Sequence, residues 1–192
     1  MYENKRKQVR RLKTTSFGRF TNFPSIIHGT AKISHKTSKP RLQLVIVEAL
    51  RDINGCKTSQ ILSVASRSGR YPGEITFEVG VADDLYFYYL DNETYTKLVM
   101  PLKSKKFFQV LDVLIVVLYH YFKNGKRIPL NFDHNIIRFT FKKGELDLYV
   151  FHVRGIRRMP LDDLLNLMIG RIKGKMTKNR LKTFKIEYLR TY

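Results

Sequence analysis

KRIPLNFDHNIIRFTFKKGELDLYVFHVRGIRR, residues 126–158, decides the reading of the fold. Ile137, Phe139 and Phe141 alternate with Ile136, Arg138 and Thr140. After Lys143-Gly144, Leu146, Leu148 and Val150 alternate with Asp147, Tyr149 and Phe151. Period-two alternation on both sides of a short glycine-containing turn predicts a β-hairpin. The turn sets the register: Phe141 faces Leu146, Phe139 faces Leu148 and Ile137 faces Val150, which makes one apolar face. The same register puts Arg138 opposite Tyr149 and Ile136 opposite Phe151 on the other face. A slip of one residue would set Phe139 against Asp147, so the pattern opposes it. The second strand runs into His152, Arg154, Arg157 and Arg158.

Working upstream, Phe107 to Lys123 reads as the main core helix, closed by Asn124-Gly125. A short strand at Ile128–Phe132 lies between it and the hairpin, and Pro129 marks that strand as an edge. Asp91 caps a helix from Asn92 that ends at Pro101. Ile75–Val81 and Leu85–Leu90 read as two strands around Asp83-Asp84, with Tyr86 and Tyr88 on the face opposite Phe87 and Tyr89. Arg67 to Gly73 is a basic, glycine-rich loop. A helix opens at Ser38-Lys39-Pro40 and stops at Asn54-Gly55, and a second short helix is expected from Thr58 or Ser59 to Ala65. Residues 16–39 read as ordered loop or short strand. Downstream, Met159-Pro160 starts a helix with Asp162 and Asp163 in its first turn, where carboxylates suit the helix dipole. In 174–192, Phe184, Ile186 and Tyr188 alternate like a strand, while Leu181, Phe184 and Tyr188 space like a helix face.

The resulting expectation is an α+β fold: a mainly antiparallel sheet of about four to five strands, covered by helices on one face, with flexible basic termini. Residues 1–15 are a flexible basic arm, 16–173 a single domain and 174–192 a basic C-terminal tail.

The net charge of +20 is unevenly spread. Residues 1–40 hold ten Lys/Arg against one acid, a net +9, and 171–192 hold eight against one, a net +7. The 130 residues between carry only +4. A near-neutral middle with two basic ends is the layout of a polyanion binder. The lone Cys56 excludes an intramolecular disulfide and any cysteine-based metal cluster. The most apolar run, Phe107–Phe122, contains Gln109 and Asp112 and is too short for a bilayer span. These features predict a cytoplasmic protein, nucleoid-associated if it binds DNA, with no membrane partner.

Catalytic signatures are sparse. Asp83, Asp84, Asp91 and Glu93 are the only dense carboxylates, and turn and cap chemistry accounts for them without a metal. His28, His35, His120, His134 and His152 lack the spacing of a metal motif. The reading is therefore a binding protein without cofactor or metal, with a nuclease the lesser alternative. Single-strand binding needs π-faces for bases and cations for phosphates. The candidate residues are Arg67, Arg70, Tyr71, Tyr86, Tyr88, Arg138, Tyr149, Phe151, Arg154, Arg157 and Arg158. Single-stranded DNA, or RNA, is the expected partner. The alternatives are a helix-turn-helix around Asn54-Gly55-Cys56 that binds duplex DNA, and a ribosome- or chromatin-associated structural protein.

GKRIPLNFDHNIIRFTF (125–141), LYVFHVRGIRR (148–158) and PLDDLL (160–165) resemble the DNA-binding domain of ThermoDBP and ThermoDBP-related proteins. These are archaeal single-stranded DNA-binding proteins that do not use the OB fold. The resemblance spans roughly residues 75–172. It implies a helix-backed antiparallel sheet whose other face and cleft hold single strands through basic and aromatic residues. It also raises a homodimer as an expectation, although 174–192 lack the leucine heptads of a C-terminal helical dimerisation segment.

Overall fold

The hairpin of residues 126–158 forms in the register that its alternation predicts. Ile137 pairs with Val150, Phe139 with Leu148 and Phe141 with Leu146. Arg138 faces Tyr149 and Ile136 faces Phe151. The first strand is longer than expected: the segment at 128–132 and the hairpin strand are one continuous element, Lys126–Phe141. Its partner, Glu145–Gly155, reaches only as far as Asp133, so Pro129 sits where one edge is free. A register shift beside Pro129, between Tyr119 and His120 of the next strand, absorbs the missing amide.

The computed structural model describes residues 16–63 and 70–192, with residues 60–63, 70 and 71 described in backbone alone. The elements in chain order are β1 (Gly29–Ser34), α1 (Lys39–Ile53), β2 (Lys57–Ser63), β3 (Arg70–Asp83), β4 (Tyr86–Tyr89) and α2 (Asn92–Lys103). There follow β5 (Val110–Lys123), β6 (Lys126–Phe141), β7 (Glu145–Gly155), α3 (Leu161–Lys178) and β8 (Lys185–Thr191). The sheet order is β2-β3-β5-β6-β7-β1-β8, and β4 pairs with β3. The strand pairs among the described residues are all antiparallel.

The expected sheet of four to five helix-covered strands is thus corrected. The fold is α+β, but eight strands curl into an antiparallel half-barrel with three helices among the described residues. Once 128–132 and the hairpin strand merge, three misread segments and β1, in the stretch read as loop or short strand, account for the difference. The first is 107–123, which is not the core helix but β5, the strand between β3 and β6. Leu111, Val113, Ile115, Val117 and Tyr119 are buried on the helix-bearing face, while Leu114, Val116 and Leu118 are half-buried on the other. A strand with apolar residues on both faces reads as an unbroken run, and its period of two is hidden. Five β-branched residues in that run favour the strand. The second is the short helix expected from Thr58 or Ser59 to Ala65: residues 57–63 form β2 and 64–65 lie outside the described residues, which removes the helix-turn-helix around Asn54. The third is the C-terminus. The expected boundary at 173 falls inside α3, and β8 lies on β1 as a sheet edge.

The core lies between the sheet and the helices. α1 buries Leu42, Val45, Ile46, Val47, Ala49, Leu50 and Ile53, and packs against both α2 and α3. Asp91 caps α2 by accepting from the Thr94 amide at 2.8 Å. That helix continues past Pro101 to Lys103.

The opposite, helix-free face of the sheet is partly covered by the chain itself. Where β3 and β5 diverge, residues 17–21 fill the split. The Gly18 amide donates to the Ala82 carbonyl and the Gly18 carbonyl accepts from the Asp112 amide, both at 2.7 Å. The segment then crosses the face toward β7, where the His28 amide donates to the Val150 carbonyl at 2.8 Å.

Candidate nucleic-acid interface

Tertiary structure separates the residues that the sequence suggested as one surface. Arg67 lies outside the described residues. Arg70 and Tyr71 begin β3, opposite Ser63 and Leu62. Tyr86 and Tyr88 pair with Asp83 and Val81, and Val81 belongs to the core beneath the helices. These two tyrosines therefore project on the helix-bearing side, not on the face of Tyr149 and Phe151. Both are exposed, but Tyr88 lines a hollow with Asp83, Asp91 and Glu93. That ground is acidic and repels phosphate.

Arg138 does lie on the helix-free face beside Tyr149, but its charge is already engaged. Its Nε and Nη2 donate to the two oxygens of Asp112, each at 2.7 Å, and Asp112 is fully buried. Nη2 also donates to the Phe20 carbonyl at 3.0 Å, and the guanidinium sits 3.9 Å from the Phe23 ring centroid. Phe20 and Phe23 belong to the crossing segment. Phe151 is likewise covered: the His28 ring stacks on it at 4.9 Å between centroids and 17° between planes. Tyr149 is half-buried, opposite Thr30 on β1. Burial, followed by the Asp147 carboxylate, pushes its phenol above the ordinary value.

At the end of β6 and β7 the same face opens into a basic, aromatic rim. Phe132 is 38% exposed. The His134 ring lies 4.8 Å from it, and the Arg154 guanidinium lies 5.1 Å from it, centroid to carbon. Arg154 Nε donates to His134 Nδ1 at 3.3 Å. A register shift between His134 and Asn135 leaves Val153 as an extra residue and returns Arg154 to the helix-free face opposite His134.

Beyond Arg154 the chain turns back over a buried carboxylate. Asp133, 1% exposed, accepts from the backbone amides of Arg157 and Arg158 at 2.7 and 2.9 Å. Tyr119 donates its hydroxyl to the same carboxylate at 2.6 Å and accepts from the Met159 amide at 2.8 Å. Burial, reinforced by the hydrogen bond to Asp133, pushes the Tyr119 phenol far above its ordinary range, so it remains a donor. Gly155 has φ +115°, and a β-carbon there would collide with Asp133 Oδ1 and the Phe132 carbonyl oxygen. The loop is therefore fixed through its backbone, and the Arg154 and Arg157 side chains are exposed.

Two further histidines line the rim. His152, 8% exposed, places Nδ1 3.0 Å from Asn135 Oδ1 and Nε2 3.3 Å from the Gly155 carbonyl. Its backbone amide donates to His28 Nδ1 at 3.0 Å. Burial, then the charges of Arg157 and His152, lower the His28 pKa. Burial and then Arg154 do the same for His134. Both rings are thus neutral near pH 7, as the hydrogen bonds accepted at their Nδ1 atoms require. Among the described residues no group of three or more His, Cys, Asp or Glu side chains is placed to hold a metal.

Of the expected residues, the rim keeps Arg154, Arg157 and Arg158. It adds Phe132, His134, His28, Asp133 and Tyr119, which the sequence reading left out of the candidate surface. One signal was available. Continuing the alternation back from Ile137 puts Asn135 and Asp133 on the core face, where polar groups require partners.

No family model, curated protein or solved structure matches this chain, so the family resemblance rests on the residues quoted for it alone. No helix among the described residues is long and apolar enough to cross a membrane.

Proposed function

We propose that this protein binds single-stranded nucleic acid, DNA or RNA, along the rim formed by Phe132, His134, Arg154, Arg157 and Arg158. The observation that carries the reading is the loop locked by Asp133. A buried carboxylate holds the backbone of 157 and 158, so the exposed Arg157 sits at a set position near the exposed Arg154 and its aromatic neighbour Phe132. Fixed cations beside a partly exposed aromatic ring suit a flexible strand, whose phosphates and unstacked bases are both accessible. The net charge of +20 supplies long-range attraction for a polyanion. A duplex is the weaker fit. Groove reading calls for an inserted helix or ribbon with several polar readers. Residues 57–63, where such a helix would have stood, form β2.

The test is a titration of labelled single-stranded DNA, single-stranded RNA and duplex of equal length at several salt concentrations. Single strands bind more tightly than duplex, and log affinity falls linearly with log salt at about −0.7 per neutralised phosphate. Absence of binding at low salt refutes the proposal. Equal affinity for duplex and single strand would favour the structural, charge-only role instead.

A further inference from the structure

A second recess lies at the opposite end of β5. It opens beside Val110, whereas the rim residue Phe132 pairs with Leu118. Eight residues of strand separate the two, about 26 Å at ~3.3 Å per residue. The recess encloses about 460 Å³, and its walls include Phe17, Phe107, Phe108, Pro101, Arg19 and Lys106. That volume falls in the range of small-molecule sites, roughly 300–1,000 Å³.

Its walls are held in place from within the core. Gln43 of α1, fully buried, donates from Nε2 to the Phe108 carbonyl at 2.7 Å and accepts from the Phe108 amide at 2.9 Å. A buried amide thus fixes the loop between α2 and β5 by both backbone groups of one residue. From the other side Gly18, at φ +90°, lets the crossing segment approach closely, since a β-carbon there would lie 3.1 Å from the Phe108 ring. The Phe17 and Phe108 rings meet edge to face at 6.5 Å. Lys39 Nζ sits 5.1 Å from the centroid of Phe107, which is 43% exposed.

The electrostatics select the ligand. Among the described residues no carboxylate lines the recess, and no ion pair engages Arg19 or Lys106. Lys103, at the end of α2, and Lys105, in the same loop, add charge. The hollow that shares Phe17 carries Asp83, Asp91 and Glu93 instead, so the contrast is local. Aromatic walls with unpaired cations at the mouth match a planar base joined to a phosphate. We infer that this recess binds a nucleoside monophosphate group, with the base against the phenylalanine rings and the phosphate at Arg19 and Lys106. The group could be a free nucleotide or the 5′-phosphorylated end of a strand. The inference does not depend on the rim, which shares no residue with the recess.

Calorimetry tests it with 5′-AMP, adenosine and inorganic phosphate. The protein carries Arg154→Gln and Arg157→Gln, so that the rim contributes little. 5′-AMP binds at least tenfold more tightly than either fragment. Phe107→Ala lowers that affinity at least tenfold, and Lys106→Gln reduces the advantage of 5′-AMP over adenosine. Thermal melting of each variant confirms that it is folded. 5′-AMP binding no tighter than phosphate overturns the inference, and so does unchanged 5′-AMP affinity in folded Phe107→Ala. A matching preference for 5′-phosphorylated over unphosphorylated oligonucleotide identifies a strand end as the occupant. Tight 5′-AMP binding without that preference identifies a free nucleotide.

Discussion

Arg138 and Arg154 stand on the same face of the same sheet, yet their surroundings give them opposite tasks. Arg138 is tied to a fully buried carboxylate and roofed by Phe20 and Phe23, so it stitches residues 16–28 to the sheet. Arg154 leans on an exposed ring and meets a neutral histidine rather than a carboxylate. Equal formal charge therefore means unequal availability. An arginine facing a buried acid across the strand pair is part of the scaffold, whereas one at a bulge beyond the acid's reach can meet a ligand.

The largest effect that tests this contrast is on stability. Asp112→Ala leaves the Arg138 guanidinium partly buried without its carboxylate and strips an acceptor from the Phe20 amide. The cost is about 3–5 kcal/mol, as for a broken buried pair, read as a lower denaturation midpoint. Replacing both partners, Asp112→Leu with Arg138→Met, recovers much of that loss. If Asp112→Ala melts like the parent, Arg138 is not structural and returns to the candidate surface.

At the rim the expected effect is on binding. Arg154→Gln with Arg157→Gln removes two exposed charges and leaves stability within about 0.5 kcal/mol. Strand affinity falls about tenfold, and the salt slope becomes shallower by about 1.4, from ~0.7 per phosphate contact. An unchanged slope would place the binding surface elsewhere.

The smallest effect is on pH dependence. His28 and His134 have folded pKa values below the ordinary 6.5. Lowering the pH through that value protonates the unfolded chain before the folded one. Stability is therefore undiminished above about pH 7 and declines as pH falls below the ordinary value. A phosphate at the rim acts in the opposite sense, because it favours the imidazolium. Strand binding accordingly takes up protons and tightens from pH 8 toward pH 6. His134→Gln flattens both profiles. A binding profile already flat in the parent would show that the histidines do not sense the ligand.

Much of the scaffold was legible because hairpins are local. The 137–150 register follows from alternation around Lys143-Gly144, and the α3 start follows from Pro160 and two aspartates. β5 was misread because apolar side chains on both of its faces erase the period that distinguishes strand from helix. The candidate site was half legible: the arginines stand out in the sequence, but their partners do not.

Residues 126–158 determined by themselves a hairpin, its register and a strand ending in arginines, since each depends on neighbours a few residues apart. Only the tertiary structure decided which cations are spent and which remain. Asp112 lies 26 residues from Arg138, His28 lies 123 from Phe151, and Asp133 lies 24 from Arg157. Those pairings arise from sheet order and from the path of residues 16–28 across it. Charge neutralisation over such separations leaves no periodic trace in a sequence.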